Sequence, residues 1–354
     1  MQYTVLNVAY PLVPVSADTA GGAEQIVSIL DRQIAGTGWR SLIVGASGSR
    51  VAGELIPTPQ WTGRIDENIR AWAAAAHRRA VELALREHEI DLIHFHGLDF
   101  YEYLPSSRSV ACLATLHLPT AWYPASLFRE RRPNFRLICV SDHQRRHCPP
   151  ARVPVETIPQ GIDVDSLAAP VKKGQYAAVL GRICPEKGFH FAIEAAAKAG
   201  VPLIIAGQVF PYEAHQKYFR REIVPRLRRT VRFIGHAGFR KKRRLLSGAR
   251  CLLIPSTVAE TSSLVAMEAL ACGTPVIAFR SGALPELIEH GRTGFIVENA
   301  NQMAHAIRRV EELDPDRCRE SARVRFSAAR MAQEYFRIYR DMVAETGFSC
   351  ASVS

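Results

Sequence analysis

Long apolar runs are missing from this chain. None of its 354 residues falls in a stretch of 18 apolar residues, which excludes a bilayer-spanning helix of the usual kind. The opening residues Met1-Gln2-Tyr3-Thr4-Val5 carry no basic segment of the sort that begins a secretory signal. Paired cysteine spacing is missing too. The eight cysteines stand singly at Cys112, Cys139, Cys148, Cys184, Cys251, Cys272, Cys318 and Cys350, with no CxxC and no Cys/His cluster along the sequence to suggest a metal site. That is the usage of a reducing compartment, so a cytoplasmic location is expected. The dinucleotide fingerprint G-x-G-x-x-G, internal repeats and low-complexity tracts are also lacking, and no side chain stands out as a nucleophile.

What is present is a globular composition, 47% apolar and 22% charged, in a chain long enough for two cores. The net charge of +11 calls for an anionic partner: nucleic acid, a membrane surface or a phosphorylated substrate. No zinc-finger spacing or RNA-binding aromatic motif accompanies the charge, so nucleic acid is not expected. The cations cluster at Arg129 to Arg132, Arg145-Arg146, Arg226 to Arg229 and Arg240 to Arg244. Such runs are usually solvated faces. The first, with Trp122, Tyr123 and Phe128 nearby, also suits peripheral contact with an anionic membrane or with an acceptor's phosphate.

The chain is organised around residues 251–279. Cys251 to Pro255 and Val276 to Phe279 read as buried parallel strands. Between them an apolar helix starts near Ser262 or Ser263, whose hydroxyls can cap it, and stops at Gly273 before Pro275. Glu268 is the only charge between Ser262 and Phe279, and a buried carboxylate demands a partner. Glu260 lies in the loop at a strand's carboxyl end, where open α/β sheets bind ligands. A helix N-terminus near Ser263 and Leu264, flanked by two glutamates, suits a phosphate bearing hydroxylated groups, as in a sugar nucleotide. A buried helix with one structural and one solvated Glu is the plainer alternative.

Around this stretch strands and helices alternate, which implies parallel, doubly wound sheets. In the first half the strands are Thr4 to Ala9, Ser41 to Ala46, Leu92 to Gly97, Val110 to His117 and Leu137 to Val140. A loop over Pro11 to Ala20 leads to Gly21-Gly22, which opens a helix and allows close approach of a phosphate, or serves only as a tight turn. Asp66 to Glu89 is a long helix. His96 and His117 sit at strand ends, a place where structural hydrogen bonding is the commoner role. In the second half, Tyr176 to Leu180 delivers Gly181-Arg182-Ile183-Cys184-Pro185-Glu186-Lys187-Gly188, whose two cations can converge on one pyrophosphate or stand as solvated surface charges. Further strands over Pro202 to Gly207 and Val231 to Gly235 end in glycines against which a base can lie flat. Asp163-Val164-Asp165 spells a metal-binding DxD, by coincidence if it belongs to a linker. Residues from about 315 to 347 are expected to be helical.

Glu260-x7-Glu268 followed by Ala-Leu-Ala-Cys-Gly-Thr-Pro, together with the Gly181 to Gly188 loop, closely resembles the nucleotide-sugar signature of the family 4 GT-B glycosyltransferases. Val155 to Asp163 resembles the family's interdomain motif, with Gln160 where Asn is usual; Ser281 to Glu286 and His290 to Phe295 match its C-terminal pattern. The resemblance implies two Rossmann-like domains facing a cleft: residues 1–165 on the acceptor side and 166–327 on the donor side, with a helix over about 328–354 packing back on the first. It implies a retaining, metal-independent transferase of the hexosyltransferase type, which moves a sugar from a nucleotide diphosphate to a glycan, lipid-linked or small-molecule hydroxyl, without a cofactor. Glu260 would hold sugar hydroxyls, Glu268 the ribose, and Arg182 and Lys187 the departing diphosphate. His117 would line the sugar pocket, and Gly21, Gly22, Gly181, Gly207, Gly235, Ser262, Ser263 and Leu264 complete the expected donor site. Thr261-Ser262-Ser263 stands where the family often has Pro-Phe-Gly, which leaves the sugar open. A nucleotide-sugar epimerase and a non-catalytic nucleotide-sugar binder are the alternatives.

Overall fold

The computed structural model describes residues 2–19, 21–63, 65–168 and 171–351, the last five of them as backbone only. Ala20, at the end of the expected first loop, and residues 352–354, at the end of the expected last helix, lie outside the described residues. In chain order the first elements are β1 (Thr4–Val8), α1 (Gly22–Gly36), β2 (Arg40–Ala46), β3 (Glu54–Thr58), α2 (Glu67–Glu87), β4 (Leu92–Phe95), β5 (Ala111–Leu116), β6 (Phe135–Cys139), α3 (Asp142–Arg146) and β7 (Val155–Thr157). There follow α4 (Val164–Leu167), β8 (Ala177–Leu180), α5 (Phe189–Ala199), β9 (Leu203–Ala206), α6 (Glu213–Tyr218), β10 (Val231–Phe233), α7 (Phe239–Gly248), β11 (Cys251–Ile254) and α8 (Leu264–Ala271). The chain closes with β12 (Val276–Phe279), α9 (Leu284–Leu287), β13 (Gly294–Val297), α10 (Ala300–Arg309), α11 (Pro315–Phe326) and α12 (Ala328–Ala351).

These elements form two compact units, Met1–Gln160 with Ala328–Ser354, and Gly161–Ser327. The first crossing thus falls at Gln160 rather than after Asp165. Each unit holds one parallel sheet, in the order β3-β2-β1-β4-β5-β6-β7 in the first and β10-β9-β8-β11-β12-β13 in the second. In both, the order reverses beside the strand that comes first in the chain, so β1/β4 and β8/β11 are the switch points at whose carboxyl ends such sheets bind ligands.

The second sheet shows why its strands read as unbroken apolar runs. Leu253, Ile277 and Phe295 pack on one face with Phe189, Ile193 and Ile307, whereas Leu252, Ala278 and Ile296 pack on the other with Met267, Leu270 and Cys318. Period-two alternation here divides apolar residues between two covered faces instead of separating core from water. In the first unit α12 covers the sheet with Tyr335 and Tyr339, both fully buried. Their hydroxyls lie 2.9 Å from Thr115 Oγ1 and 2.7 Å from His94 Nδ1.

Several expectations change. The helical stretch expected from about 315 is two helices, parted at Ser327, whose ψ of 143° is extended, close to the expected start of the last helix at about 328. Asp163 is a helix cap: its carboxylate accepts from the Ser166 N–H at 3.3 Å. The basic runs are only partly solvated. Arg132 is buried and donates to the carbonyls of Ser107 and Pro105 at 2.8 and 2.7 Å. Tyr123 and Phe128 belong to the core, which leaves Trp122, 59% exposed, as the surface aromatic of that cluster. Among the described residues no helix is long and apolar enough to cross a membrane.

Candidate functional site

Two loops flank the switch point of the second sheet. One leaves β8 and runs from Gly181 to Gly188; the other leaves β11 and delivers Ser263, the N-cap of α8. They are fastened together. The Thr257 N–H donates to the Glu186 carbonyl at 2.9 Å, and Gly188 has φ +61°, with any added Cβ only 2.2 Å from the Pro255 carbonyl oxygen. A side chain at Gly188 would push the loops apart.

The fastening brings Lys187 to Glu260. Lys187 Nζ lies 2.5 Å from Glu260 Oε1, across 73 positions of sequence. The Ser256 hydroxyl donates to the same oxygen, so the carboxylate is fixed from two sides. Its backbone is fixed as well: the Glu260 carbonyl accepts from the Ala283 N–H at 2.8 Å, and a Cβ on Gly282 (φ +58°) would lie 2.1 Å from that carbonyl. Arg182 stands exposed at the start of the β8 loop.

The helix α8 begins where the sequence places it. Ser263 caps it, its hydroxyl accepting from the Ala266 N–H at 3.3 Å. The neighbouring Ser262 hydroxyl is buried and makes no hydrogen bond. A buried orphan hydroxyl beside free helical N–H groups fits an oxygen-rich ligand. Leu264 opens the helix half-buried, and Glu268 follows one turn on, its carboxylate paired with the buried Lys242 of α7. Burial pushes the Glu268 carboxyl above the usual carboxylate range, and Lys242 pulls it back only in part. Gly181, Gly207 and Gly235 close the adjacent strand ends: the Gly207 N–H donates to the Gly235 carbonyl at 2.9 Å, and a Cβ on Gly207 would lie 1.9 Å from the Gly181 carbonyl oxygen.

In the first unit Gly21 is the N-cap of α1 and Gly22 its first residue. His96 and His117 lie just past the ends of β4 and β5, and they belong to one hydrogen-bonded chain. His96 Nε2 is 3.2 Å from Asn7 Oδ1, His96 Nδ1 is 3.1 Å from His117 Nε2, and His117 Nδ1 is 3.2 Å from Gln160 Nε2. Because Asn7 Oδ1 can only accept, His96 carries its proton on Nε2 and must accept at Nδ1. His117 therefore donates from Nε2 and accepts from the Gln160 amide at Nδ1. Burial holds His117 neutral, its pKa lowered to about 3, and drives His96 well below its ordinary value. With both nitrogens bonded inside the unit, His117 is not arranged as a proton carrier.

A family described as "Glycosyl transferases group 1" matches residues 167–325, and one described as "Glycosyltransferase Family 4" matches residues 20–166. The chain belongs to the family 4 glycosyltransferases. Alpha-maltose-1-phosphate synthase of Mycolicibacterium smegmatis is 39% identical over 118 residues, which are 29% of this chain and 30% of that protein. The sucrose-phosphate synthase of Thermosynechococcus elongatus matches with a TM-score of 0.79 at 21% identity, over 97% of this chain and 100% of that one. Anabaena Alr3699/HepE in complex with UDP-glucose matches with a TM-score of 0.71 at 19% identity, over 98% and 99%. These likenesses show the fold, GT-B with two Rossmann-like domains. The chain spans between 22% and 41% of the length of the curated relatives it matches.

For a family 4 glycosyltransferase, two residues of this region were hidden in its sequence. Ser256 stands two residues past the end of β11, and a hydroxyl at a strand's carboxyl end is a signal that can be read. Lys242 sits inside the run Arg240 to Arg244, expected as a solvated face, yet it is buried on Glu268. Its spacing to Leu245 and Leu246, three and four residues on, places it on the apolar stripe of α7 and gives it away.

Proposed function

We propose that the protein moves a sugar from a nucleotide-diphosphate donor to a hydroxyl acceptor with retention of configuration, and that its second unit binds the donor. The observation that carries this is the Lys187–Glu260 pair at 2.5 Å, which joins a cationic loop and an acidic loop at the switch point of one sheet. Arg182 and Lys187 meet the diphosphate, and the α8 N–H groups with Ser262 and Ser263 add fixed dipoles toward it. Glu260, already held by Lys187 and Ser256, orients sugar hydroxyls. Glu268 takes the ribose hydroxyls, and the strand-end glycines Gly181, Gly207 and Gly235 leave room for the base. The resemblance alone gives Gly21, Gly22 and His117 of the first unit a part in substrate binding, His117 as a neutral positioning group.

Charge develops on the leaving diphosphate as the glycosidic bond breaks, and fixed cations can meet it without a divalent ion. UDP sugars are the first donors to test, because the similar Anabaena protein holds UDP-glucose. Proton NMR of the product reads the linkage: the donor's anomeric configuration should be kept, in excess EDTA as in its absence. An inverted linkage contradicts the retaining assignment, and loss of transfer in EDTA with recovery on manganese contradicts the metal-free one. Glu260→Gln should abolish most transfer with an unchanged circular dichroism spectrum.

A further inference from the structure

The loop that carries Arg182 and Lys187 also carries Cys184 and Glu186, whose side chains the reading above leaves unused. They meet His215 of α6. The Cys184 thiol, a Glu186 carboxylate oxygen and a His215 ring nitrogen all lie within 4.8 Å of one another. Among the described residues no other group of three His, Cys, Asp or Glu side chains is gathered so closely. The sequence conceals the cluster because His215 stands 31 residues beyond Cys184, in a different element.

The three sites differ in ways that suit one kind of ligand. Cys184 is 2% exposed and Glu186 lies at the surface, so the cluster has a buried floor and an open rim. His215 Nδ1 is buried and makes no hydrogen bond, an orphaned nitrogen beside a thiol and a carboxylate. The Phe210 and Tyr212 rings stand edge-on to the imidazole at 6.4 and 5.1 Å and restrict its orientation. The chain just beyond α6 widens into a π-helical turn, Phe219–Ile223, a local irregularity frequent at binding sites. One thiol, one imidazole and one carboxylate form a mixed soft and hard donor set, which matches zinc and its neighbours and neither magnesium nor calcium.

We propose that Cys184, Glu186 and His215 form a transition-metal site that takes Zn2+ and ties α6 to the phosphate-facing loop. Three protein ligands leave a fourth position at the rim for water. Tetrahedral zinc would draw the donor atoms to roughly 3–4 Å apart, a closure that side-chain torsions can supply. The balance is simple: the Cys184 thiol gives up its proton to solvent, the imidazole enters neutral, and thiolate plus carboxylate cancel the ion's two charges. The nearby Arg182 charge opposes any cation here, and the thiolate and carboxylate have to outweigh it.

The site lies beside the proposed diphosphate contacts and supplies none of them, so its test reads metal and not transfer. Co2+ is the probe. Titrated into the metal-stripped full chain, it should give an intense thiolate-to-cobalt charge-transfer band, displaced by one equivalent of Zn2+. Cys184→Ser should abolish that band, whereas Cys148→Ser, at the one described cysteine that is not buried, should keep it. Glu186→Gln and His215→Ala should each weaken Co2+ by about tenfold or more, since even outer-shell losses at metal sites cost that much. Zn2+ should raise the midpoint of thermal unfolding in the parent chain and leave it unmoved in Cys184→Ser, a comparison that stands even if the parent midpoints differ. A cobalt spectrum without a thiolate band, or a band that survives Cys184→Ser, overturns the site. Either outcome leaves the donor assignment untouched.

Discussion

At the carboxyl ends of the first sheet the buried polar side chains are neutral: Asn7, His94, His96, Thr115 and His117, closed by Gln160 and by the Tyr335 and Tyr339 hydroxyls. At the same place in the second sheet two ion pairs stand beside the buried Ser256 and Ser263: the part-buried Lys187 with Glu260, and the buried Lys242 with Glu268. The strand orders correspond and the covering of both faces is alike, so topology does not account for the contrast. What differs is the solvation each set would recover from a ligand. Ion pairs at an open strand end can trade a protein partner for a phosphate or a hydroxyl, whereas in the neutral chain every imidazole nitrogen already has a partner, and the Asn7 Nδ2 amide is the one group of that chain left unpaired. One fold thus offers a preset shape on one sheet and an exchangeable charge pattern on the other.

The sharpest break of this contrast is Lys242→Ala. It leaves Glu268 buried without its partner, which should cost roughly 3–5 kcal/mol of stability, whereas the double replacement Lys242→Met with Glu268→Leu should recover most of the loss. Chemical denaturation of the three chains checks it, and an innocuous single variant would mean that Glu268 is not dependent on Lys242. Next in size is a pH effect that should separate the two sheets. The histidines of the first unit have folded pKa values below the ordinary 6.5, about 4 for His77 and about 3 for His117, chiefly through burial. Their contribution is complete above pH 6.5 and lost as acid protonates the unfolded chain, at about 1.4 kcal/mol per pH unit for each group. Glu268 has the opposite sign: its raised pKa favours the folded state at low pH. Hydrogen exchange, corrected for intrinsic rates, should show β4 and β5 losing protection between pH 6.5 and 4 while β11 and β12 hold theirs; parallel losses would erase the distinction.

The smallest expected effect concerns the surface. With Arg132, Tyr123 and Phe128 committed inward, adsorption to anionic vesicles would rest on cations worth about 1 kcal/mol each at low salt. Co-sedimentation with phosphatidylglycerol vesicles should be weak and abolished by salt, and salt-resistant pelleting would point to a contact other than these charges.

Much of this arrangement could be read in the chain because its signals are local. Short apolar runs bounded by glycine or proline gave β8, β9, β11 and β12, and the Ser263 cap and Gly273 stop bracketed α8. Edge strands were harder. β3 is half exposed and carries Pro57, and β7 is three residues of a segment that reads as a linker. The break at Ser327 carries neither Gly nor Pro, so the family resemblance and not local preference placed it near 328; it falls where the chain passes from one unit to the other. Pairings such as Lys242 with Glu268, Lys187 with Glu260, or His215 with Cys184 depend on which loops the sheet order sets side by side. Residue type announces that a buried Glu268 needs a partner; only the packing of α7 on α8 says which.

The central claim is that the second sheet's charges are there for a diphosphate, and calorimetry on matched ligands tests it directly. UDP and uridine, or GDP and guanosine if that base binds, are titrated into the parent chain, Arg182→Ala and Lys187→Ala. Each charge-assisted contact is worth roughly 1.5–3 kcal/mol, so each variant should weaken the diphosphate about tenfold or more and leave the nucleoside within about twofold. Equal losses for nucleoside and diphosphate would contradict the account, because the two cations would then hold the loop and not the ligand.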